Sequence, residues 1–361
     1  MSFKSLEELI DGIQKMSQDY KVYIWGVGVY GNLLGEILNR NHVEWHGYYN
    51  NYDNVSVKCL NGKPIKRGDT VKTCTDTVYI LAMGQYSAVR KQLLSLGIKE
   101  DRIICIEDAS VLNSIGDSGE AVPSSEKIRA FRNLYLGEKC FIIGNGPSLS
   151  IEDLEAIKRL EIKAFASNMI FKCYDETTWR PYFYFCTDDN FIRDVLLEDT
   201  TLEYVSRNCQ YMFSRASGVL SKVSDKMSNL LLFKSAYPES GQAFEFSTDC
   251  SEKVFVGYTV TYAMMQMAVY MGFKEIYLLG MDQSFSIDID GNGNIVEKKE
   301  IKNHSQILGD YPMRGIANTA LTNQAYMAAR EYVDSHGITI YNATRGGKLE
   351  VFERVDFDKL L

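Results

Sequence analysis

The chain has no run of 18 apolar residues, so the sequence offers no membrane-spanning helix. Any membrane contact is expected to be peripheral. The opening Met1-Ser-Phe-Lys-Ser-Leu-Glu-Glu-Leu9 does not read as a secretory leader. Basic residues are in deficit. With 39 Lys and Arg against 47 Asp and Glu, the net charge is −8, which excludes a broad electrostatic footprint for nucleic acid but leaves room for a local basic pocket. The 8 cysteines form no CxxC pair, and Cys105 and Cys140 lie inside apolar runs. Buried thiols in a reducing cytoplasm fit this pattern better than disulfides or a zinc site. No glycine-rich loop ends in Gly-Lys-Ser or Gly-Lys-Thr, which disfavours ordinary P-loop phosphoryl transfer.

What is present suits two globular domains: 361 residues, 45% of them hydrophobic and 24% charged. Residues 1–20 show an amphipathic helical period through Leu6, Leu9, Ile10, Ile13 and Met16. Strand Val22–Gly26 then runs into Gly26-Val-Gly28-Val-Tyr-Gly31 and a helix over 32–39. This is GxGxxG in a strand–turn–helix setting, the fingerprint of a dinucleotide-binding fold. The acidic residue that would grip a ribose should end the next strand, Trp45–Tyr49, but Asn50 and Asn51 stand there and Asp53 comes late. Strands over 77–82 and 102–106 and a helix over 86–96 complete a Rossmann-like module, residues 1–108, without redox chemistry. Small and polar residues over 109–127 form the linker.

The second domain, 128–361, is expected to open with a helix over 128–136 and then alternate strands and helices around a mainly parallel sheet. Its first strand, Cys140–Ile143, stops at Gly144-Asn145-Gly146-Pro147-Ser148, and a helix follows over 153–160. A glycine turn between a strand and a helix lets the backbone approach a phosphate, and the helix N-terminus adds unpaired N–H groups. Further strands are expected at 162–167, 182–186, 210–213, 230–233, 275–279 and 339–341, with helices over 259–271 and 318–336. In an open parallel sheet the C-terminal strand ends converge on the ligand crevice. Asn168, Asp188-Asp189 and Gly280-Met281-Asp282 stand at three further such ends.

These positions define the candidate site. Gly144, Asn145, Gly146 and Ser148 would cradle a phosphate. Asn168 would contact a base or sugar, or merely cap a strand. Asp188 and Asp189 would hold Mg²⁺ or a ribose, or else cap the following helix, and as neighbours on a strand they point to opposite faces. Gly257-Tyr258-Thr259 opens a helix toward an anion, while Gly280 and Asp282 would hold a ribose or an acceptor. Of the 4 histidines, His42 and His46 flank a strand of the first domain and His336 ends a helix. His304 is left as the candidate base, with Tyr311 nearby to assist a leaving phosphate. Arg345, in Asn342-Ala-Thr-Arg-Gly-Gly347, would neutralise a phosphate or carboxylate, or sit in a surface turn. The stretch Ser286-Ile-Asp288-Ile-Asp290-Gly-Asn292-Gly-Asn294 resembles a calcium loop but has Lys299 at its twelfth position, so it reads as a hairpin.

Three segments in order, Cys140–Leu149, Met271–Asp282 and Asn342–Gly347, resemble the DUF115 proteins. That group includes motility accessory factor (Maf) glycosyltransferases and proteins labelled 6-hydroxymethylpterin diphosphokinase-like. The glycine loop and Gly280-x-Asp282 also resemble bacterial lipooligosaccharide sialyltransferases. The resemblance spans roughly 128–361 and implies a sialyltransferase-like GT-A variant, an α/β fold following a Rossmann-like first domain. It further implies a cytoplasmic enzyme, at most peripheral to the inner membrane face, that uses a CMP-activated nonulosonic sugar. The acceptor would be a surface glycan or protein, His304 the base, and no cofactor would be needed. A Mg²⁺-dependent diphosphokinase acting on a pterin-like alcohol, with Asp188 and Asp189 on the metal, is the alternative. A non-catalytic nucleotide-binding protein of polysaccharide biosynthesis is another. The sequence leaves homo-oligomerisation open.

Overall fold

The computed structural model describes residues 3–27, 29–51, 58–71, 76–82, 86–106, 111, 123–198, 200–216, 220, 227–237, 243–289, 295–298, 300–309 and 317–361. The chain divides into two compact units, Met1–Glu120 with Ala236–Gln242, and Ala121–Ser235 with Ala243–Leu361. The excursion at 236–242 was not legible in the sequence. Tyr237 packs edge-on against Tyr30, with ring centroids 5.3 Å apart, which ties this segment to the first unit. Most of the expected linker lies outside the described residues.

In the first unit, α1 (Leu6–Met16) precedes β1 (Lys21–Trp25), α2 (Val29–Arg40) and β2 (Gly47–Asn50). Then come β3 (Cys59–Leu60), β4 (Lys63–Arg67), β5 (Thr77–Leu81), α3 (Ser87–Ser95) and β6 (Ile103–Cys105). Their order is β3-β4-β2-β1-β5-β6, parallel except for the β3–β4 pair. Two glycines of the fingerprint have clear tasks. Gly26 turns the chain at φ +104°, and a Cβ at Gly31 would collide with the carbonyl of Gly26. Gly28 and Asp53 lie outside the described residues.

The second unit opens with α4 (Ser125–Arg129), shorter than expected and shifted toward the N-terminus. From Ala130 the chain runs in turns, with Asn133 at φ +56° and Gly137 at φ +81°, conformations that cannot continue a helix. Ser124 fastens this segment to β11 (Leu230–Phe233): its N–H donates to the Leu232 carbonyl at 2.6 Å, and its Oγ accepts from the Leu232 N–H at 3.0 Å.

Between these lie β7 (Lys139–Ile143), α5 (Ile151–Arg159), β8 (Lys163–Ser167), β9 (Phe183–Cys186), α6 (Thr201–Arg207) and β10 (Tyr211–Arg215). After β11 come β12 (Ser235–Ala236), β13 (Val254–Phe255), α7 (Val260–Tyr270) and β14 (Glu275–Leu279). The hairpin β15 (Ile287–Ile289) with β16 (Ile295–Glu297), α8 (Thr319–Ser335), β17 (Thr339–Asn342) and β18 (Glu353–Arg354) finish the chain. The turn of that hairpin lies outside the described residues. Asp288 uses its carboxylate to hold the start of α8, accepting from the Thr319 N–H at 3.0 Å and the Thr319 Oγ1 at 2.6 Å.

The main sheet runs β11-β10-β9-β8-β7-β14-β17-β18, with every pair parallel. Chain order leaves β7 in one direction through β8 to β11 and in the other through β14. The topological switch point is therefore the β7–β14 pair, where a crevice opens beyond the carboxyl ends of the strands. Strand burial explains the near-continuous apolar runs: β9 and β11 are buried at every position. α7 is apolar on all sides, buried from Thr261 through Tyr270. Its one amide there, Gln266, accepts from the N–H groups of Ser247 and Phe255 and donates to the carbonyls of Phe255 and Tyr262.

Candidate functional site

A cavity of about 450 Å³ sits at the switch point, entirely within the second unit. That volume is in the range of small-molecule sites. The loops after β7 and β14 meet at its floor. The Gly144 N–H donates to the Leu279 carbonyl at 2.7 Å, and the Gly146 N–H to the Gly280 carbonyl at 2.9 Å. A Cβ on Gly144 would lie 2.7 Å from Met281 Sδ, and one on Gly146 would strike the carboxylate of Asp282. These glycines therefore serve first to let two loops touch. Gly280, at φ +70°, does the same from the other side, since a Cβ there would stand 2.7 Å from the Gly144 carbonyl.

Asp282 binds the two loops together. Its Oδ2 accepts from Ser148 Oγ at 2.7 Å and from the Ser148 N–H at 3.2 Å. The carboxylate lines the cavity while it holds the loop that follows β7. Behind it the Asn342-Ala-Thr344 motif acts as a support: Thr344 Oγ1 accepts from the Met281 N–H at 3.0 Å, and buried Asn342 accepts from the Thr344 N–H.

Asn145 and Asn168 are brought side by side at the ends of β7 and β8. Asn145 Nδ2 donates to the Ser167 carbonyl at 3.0 Å, which turns its Oδ1 away. Asn168 sits at φ +51°, with its own carbonyl held by Tyr184 Oη at 2.8 Å. Both side-chain oxygens are closed off from solvent, and neither meets a donor among the described residues. Buried acceptors of this kind cost free energy unless something satisfies them.

The N-terminus of α7 forms another wall, through Gly257, Tyr258, Thr259 and Thr261. Thr259 is the N-cap, its Oγ1 accepting from the Thr261 N–H at 3.3 Å, and Tyr258 takes φ +59° to turn the chain in. Gln283, with φ +51°, was not singled out by sequence. Asn168, Tyr258 and Gln283 thus place three non-glycine residues in the left-handed region around one cavity, a grouping typical of functional sites.

His304 reaches the same cavity on a separate loop. The Ser305 N–H donates to the Asn145 carbonyl at 2.9 Å and Ser305 Oγ to the Leu149 carbonyl at 2.6 Å, pinning this loop beside the glycine turn. Burial lowers the imidazole pKa below its ordinary 6.5, against a smaller upward pull from the Asn145 backbone. At neutral pH the ring is uncharged and able to take a proton. Tyr311 lies outside the described residues.

Asp188 and Asp189 divide their tasks. Asp188 Oδ1 caps the short helical turn Asp189–Phe191, accepting from the Asn190 N–H at 2.9 Å and the Phe191 N–H at 3.4 Å. The residue is exposed, yet its carboxyl is set deep enough that burial raises it above the usual carboxylate range; the two N–H donors oppose this. Asp189 is buried and pairs with Arg215 at 3.1 Å. The two carboxylates therefore do not form a joint Mg²⁺ site, and no group of three His, Cys, Asp or Glu residues gathers to hold a metal among the described residues.

Arg345 is placed outside the cavity lining. It bridges buried Asp153 at 2.7 Å and exposed Asp358 at 2.6 Å. Asp153 also completes the capping box of α5 with Ser150. Arg345→Ala is accordingly expected to lower stability by about 1 kcal/mol, discounted for the half-exposed arginine, and to leave ligand affinity unchanged. Thermal melts and calorimetry on one preparation check both halves of that statement.

Residues 113–288 match the family described as 6-hydroxymethylpterin diphosphokinase MptE-like. Most of that segment lies in the second unit. It carries the glycine loop, Asn168, the α7 N-terminus and Asp282, whereas His304 lies beyond it. The match accords with the DUF115-type resemblance, two of whose three motifs, Cys140–Leu149 and Met271–Asp282, fall inside it. Residues 18–104 match the family described as C2185-like, N-terminal. No curated protein matches the chain.

Among solved structures, a MAf glycosyltransferase from Magnetospirillum magneticum AMB-1 aligns with 100% of this chain at 13% identity and a TM-score of 0.40. The chain spans 63% of that protein's length. The sialyltransferase CST-II, in complex with a trisaccharide acceptor and CMP, aligns with 60% of this chain and 86% of its own, at 16% identity and a TM-score of 0.34. CstII from Campylobacter jejuni in complex with CMP covers 61% of this chain and 85% of its own, at 15% identity and a TM-score of 0.33. Among the described residues, no helix is long and apolar enough to cross a membrane.

Proposed function

We propose that the second unit is a glycosyltransferase that moves a sugar, of the nonulosonic acid type, from a CMP-activated donor to a glycan or protein acceptor. The observation that carries this reading is the meeting of His304 with the glycine turn, Asn168 and the α7 N-terminus at one switch point. The α7 N-terminus adds positive potential and unpaired N–H groups for the phosphate.

In this reaction the acceptor hydroxyl oxygen forms a bond to the anomeric carbon while the bond from that carbon to the phosphate oxygen breaks. His304 takes the hydroxyl proton, and CMP leaves with the bonding electron pair. Positioning and preorganised dipoles supply the remaining stabilisation.

A pH profile follows. His304 must be neutral to act, and burial holds its pKa below 6.5. Transfer should therefore be level through neutral pH and fall only as the pH drops below 6.5. An acid limb centred above 6.5 would contradict the assignment.

The family description favours a second reading, a diphosphokinase that passes pyrophosphate from ATP to a pterin-like alcohol. It would draw on the same cavity but require a metal beside the phosphates, where the divided Asp188 and Asp189 give no joint site. Phosphorus NMR of CMP-sialic acid incubated with the protein and a sugar acceptor, in EDTA, separates the two. The transferase reading predicts release of CMP. An inert CMP-sugar together with AMP release from ATP and Mg²⁺ would favour the kinase.

A further inference from the structure

Arg215 was not singled out by sequence and has no part in the chemistry above. It ends β10 and is the only arginine or lysine in the cavity lining among the described residues. Its side chain is 12% exposed and anchored by Asp189, whose side chain is fully buried. A long cation fixed this way has already given up its rotamer freedom, so a ligand meets a preset planar fork. Asp188 and Asp282 also line the cavity, and an anionic substrate group would meet repulsion there without a fixed positive charge.

Its place in the sheet limits what it can touch. β10 lies three strands from β7 in the order β10-β9-β8-β7, roughly 14 Å across at ordinary strand spacing. Phe191, Phe233 and Phe255 are among the aromatic residues of the same cavity, and Phe233 ends the neighbouring strand β11. β10 therefore stands apart from β7, whose glycine loop faces the donor phosphate in the proposed reaction.

We infer that Arg215 forms an oxyanion subsite, recognising a carboxylate or phosphate on the part of the substrate that lies away from the leaving phosphate. The inference rests on the nucleotide-sugar reading of this cavity. Two sources share the chemistry: an acidic group on the acceptor sugar, or a second phosphate on the nucleotide, which would make the donor a CDP and not a CMP ester.

Calorimetry with four probes tests it. CMP is compared with CDP, and 3′-sialyllactose with lactose, the sugars being titrated into protein saturated with CMP. The wild-type protein is expected to favour the more acidic member of one pair at least tenfold. Arg215→Gln should erase that preference and leave CMP affinity within threefold, while Arg215→Lys, which keeps charge but loses the fork, should retain part of it. A preference for CDP assigns the subsite to the nucleotide, and one for sialyllactose assigns it to the acceptor. No preference in either pair on the wild-type protein overturns the subsite, whether or not the variants fold. A preference that Arg215→Gln keeps does the same. CMP failing to bind at all removes the nucleotide-sugar reading and this inference with it, a result distinct from CMP binding without acid preference.

Discussion

His304→Ala is expected to lower sugar transfer by about 10²- to 10⁴-fold, the usual contribution of a positioned general base, while CMP affinity stays within threefold. The separation is expected from the architecture. His304 reaches the cavity on its own loop, whereas the contacts proposed for the nucleotide come from the glycine turn, β8 and α7. The loop is held by Ser305, not by the imidazole alone, so alanine should leave its course intact. Steady-state kinetics should show the loss in kcat, not in donor KM. Equal loss of CMP binding would make His304 a binding residue. Unchanged turnover would remove the base altogether.

Asp282→Ala is expected to be as damaging, by a different route. It deprives Ser148 of the acceptor for both its N–H and its hydroxyl, in a loop joined to β14 by glycine contacts. Leaving that N–H unpaired costs on the order of 1–3 kcal/mol of stability. The loop then loses the register that aligns Asn145 with Asn168, and CMP affinity should fall at least tenfold. Asp282→Asn retains a side-chain acceptor and should fall between the two. The decisive comparison is denaturant stability against CMP affinity. A loss of affinity with no loss of stability would show that Asp282 touches the nucleotide directly instead of organising the loop.

The alternation of strands and helices was legible because β7, β9, β11 and β14 are short apolar runs flanked by turn residues, the signature of buried parallel strands. The strand-end rule then located Asn168, Asp188 and Asp282 at one cavity with no structure at hand. Arg215 obeys the same rule but escaped it. Ser214 and Arg215 break the apolar run, so the strand was expected to end at Phe213, two residues early. Gln283 escaped because nothing in its type signals a left-handed backbone. The glycine loop was found for a partly different reason from the one the structure supplies: Gly144 and Gly146 admit the neighbouring loop before they admit any ligand. The partnership of Asp282 with Ser148 spans 134 residues, and no local pattern encodes a contact of that range. Arg345 misled for the same reason, since its partner Asp153 is 192 residues away.

The most direct test of the account is a calorimetric titration of the purified protein with CMP in EDTA, followed by ATP with and without Mg²⁺. The account predicts saturable CMP binding that EDTA leaves unchanged. Binding of ATP alone, and only with Mg²⁺ present, would contradict it.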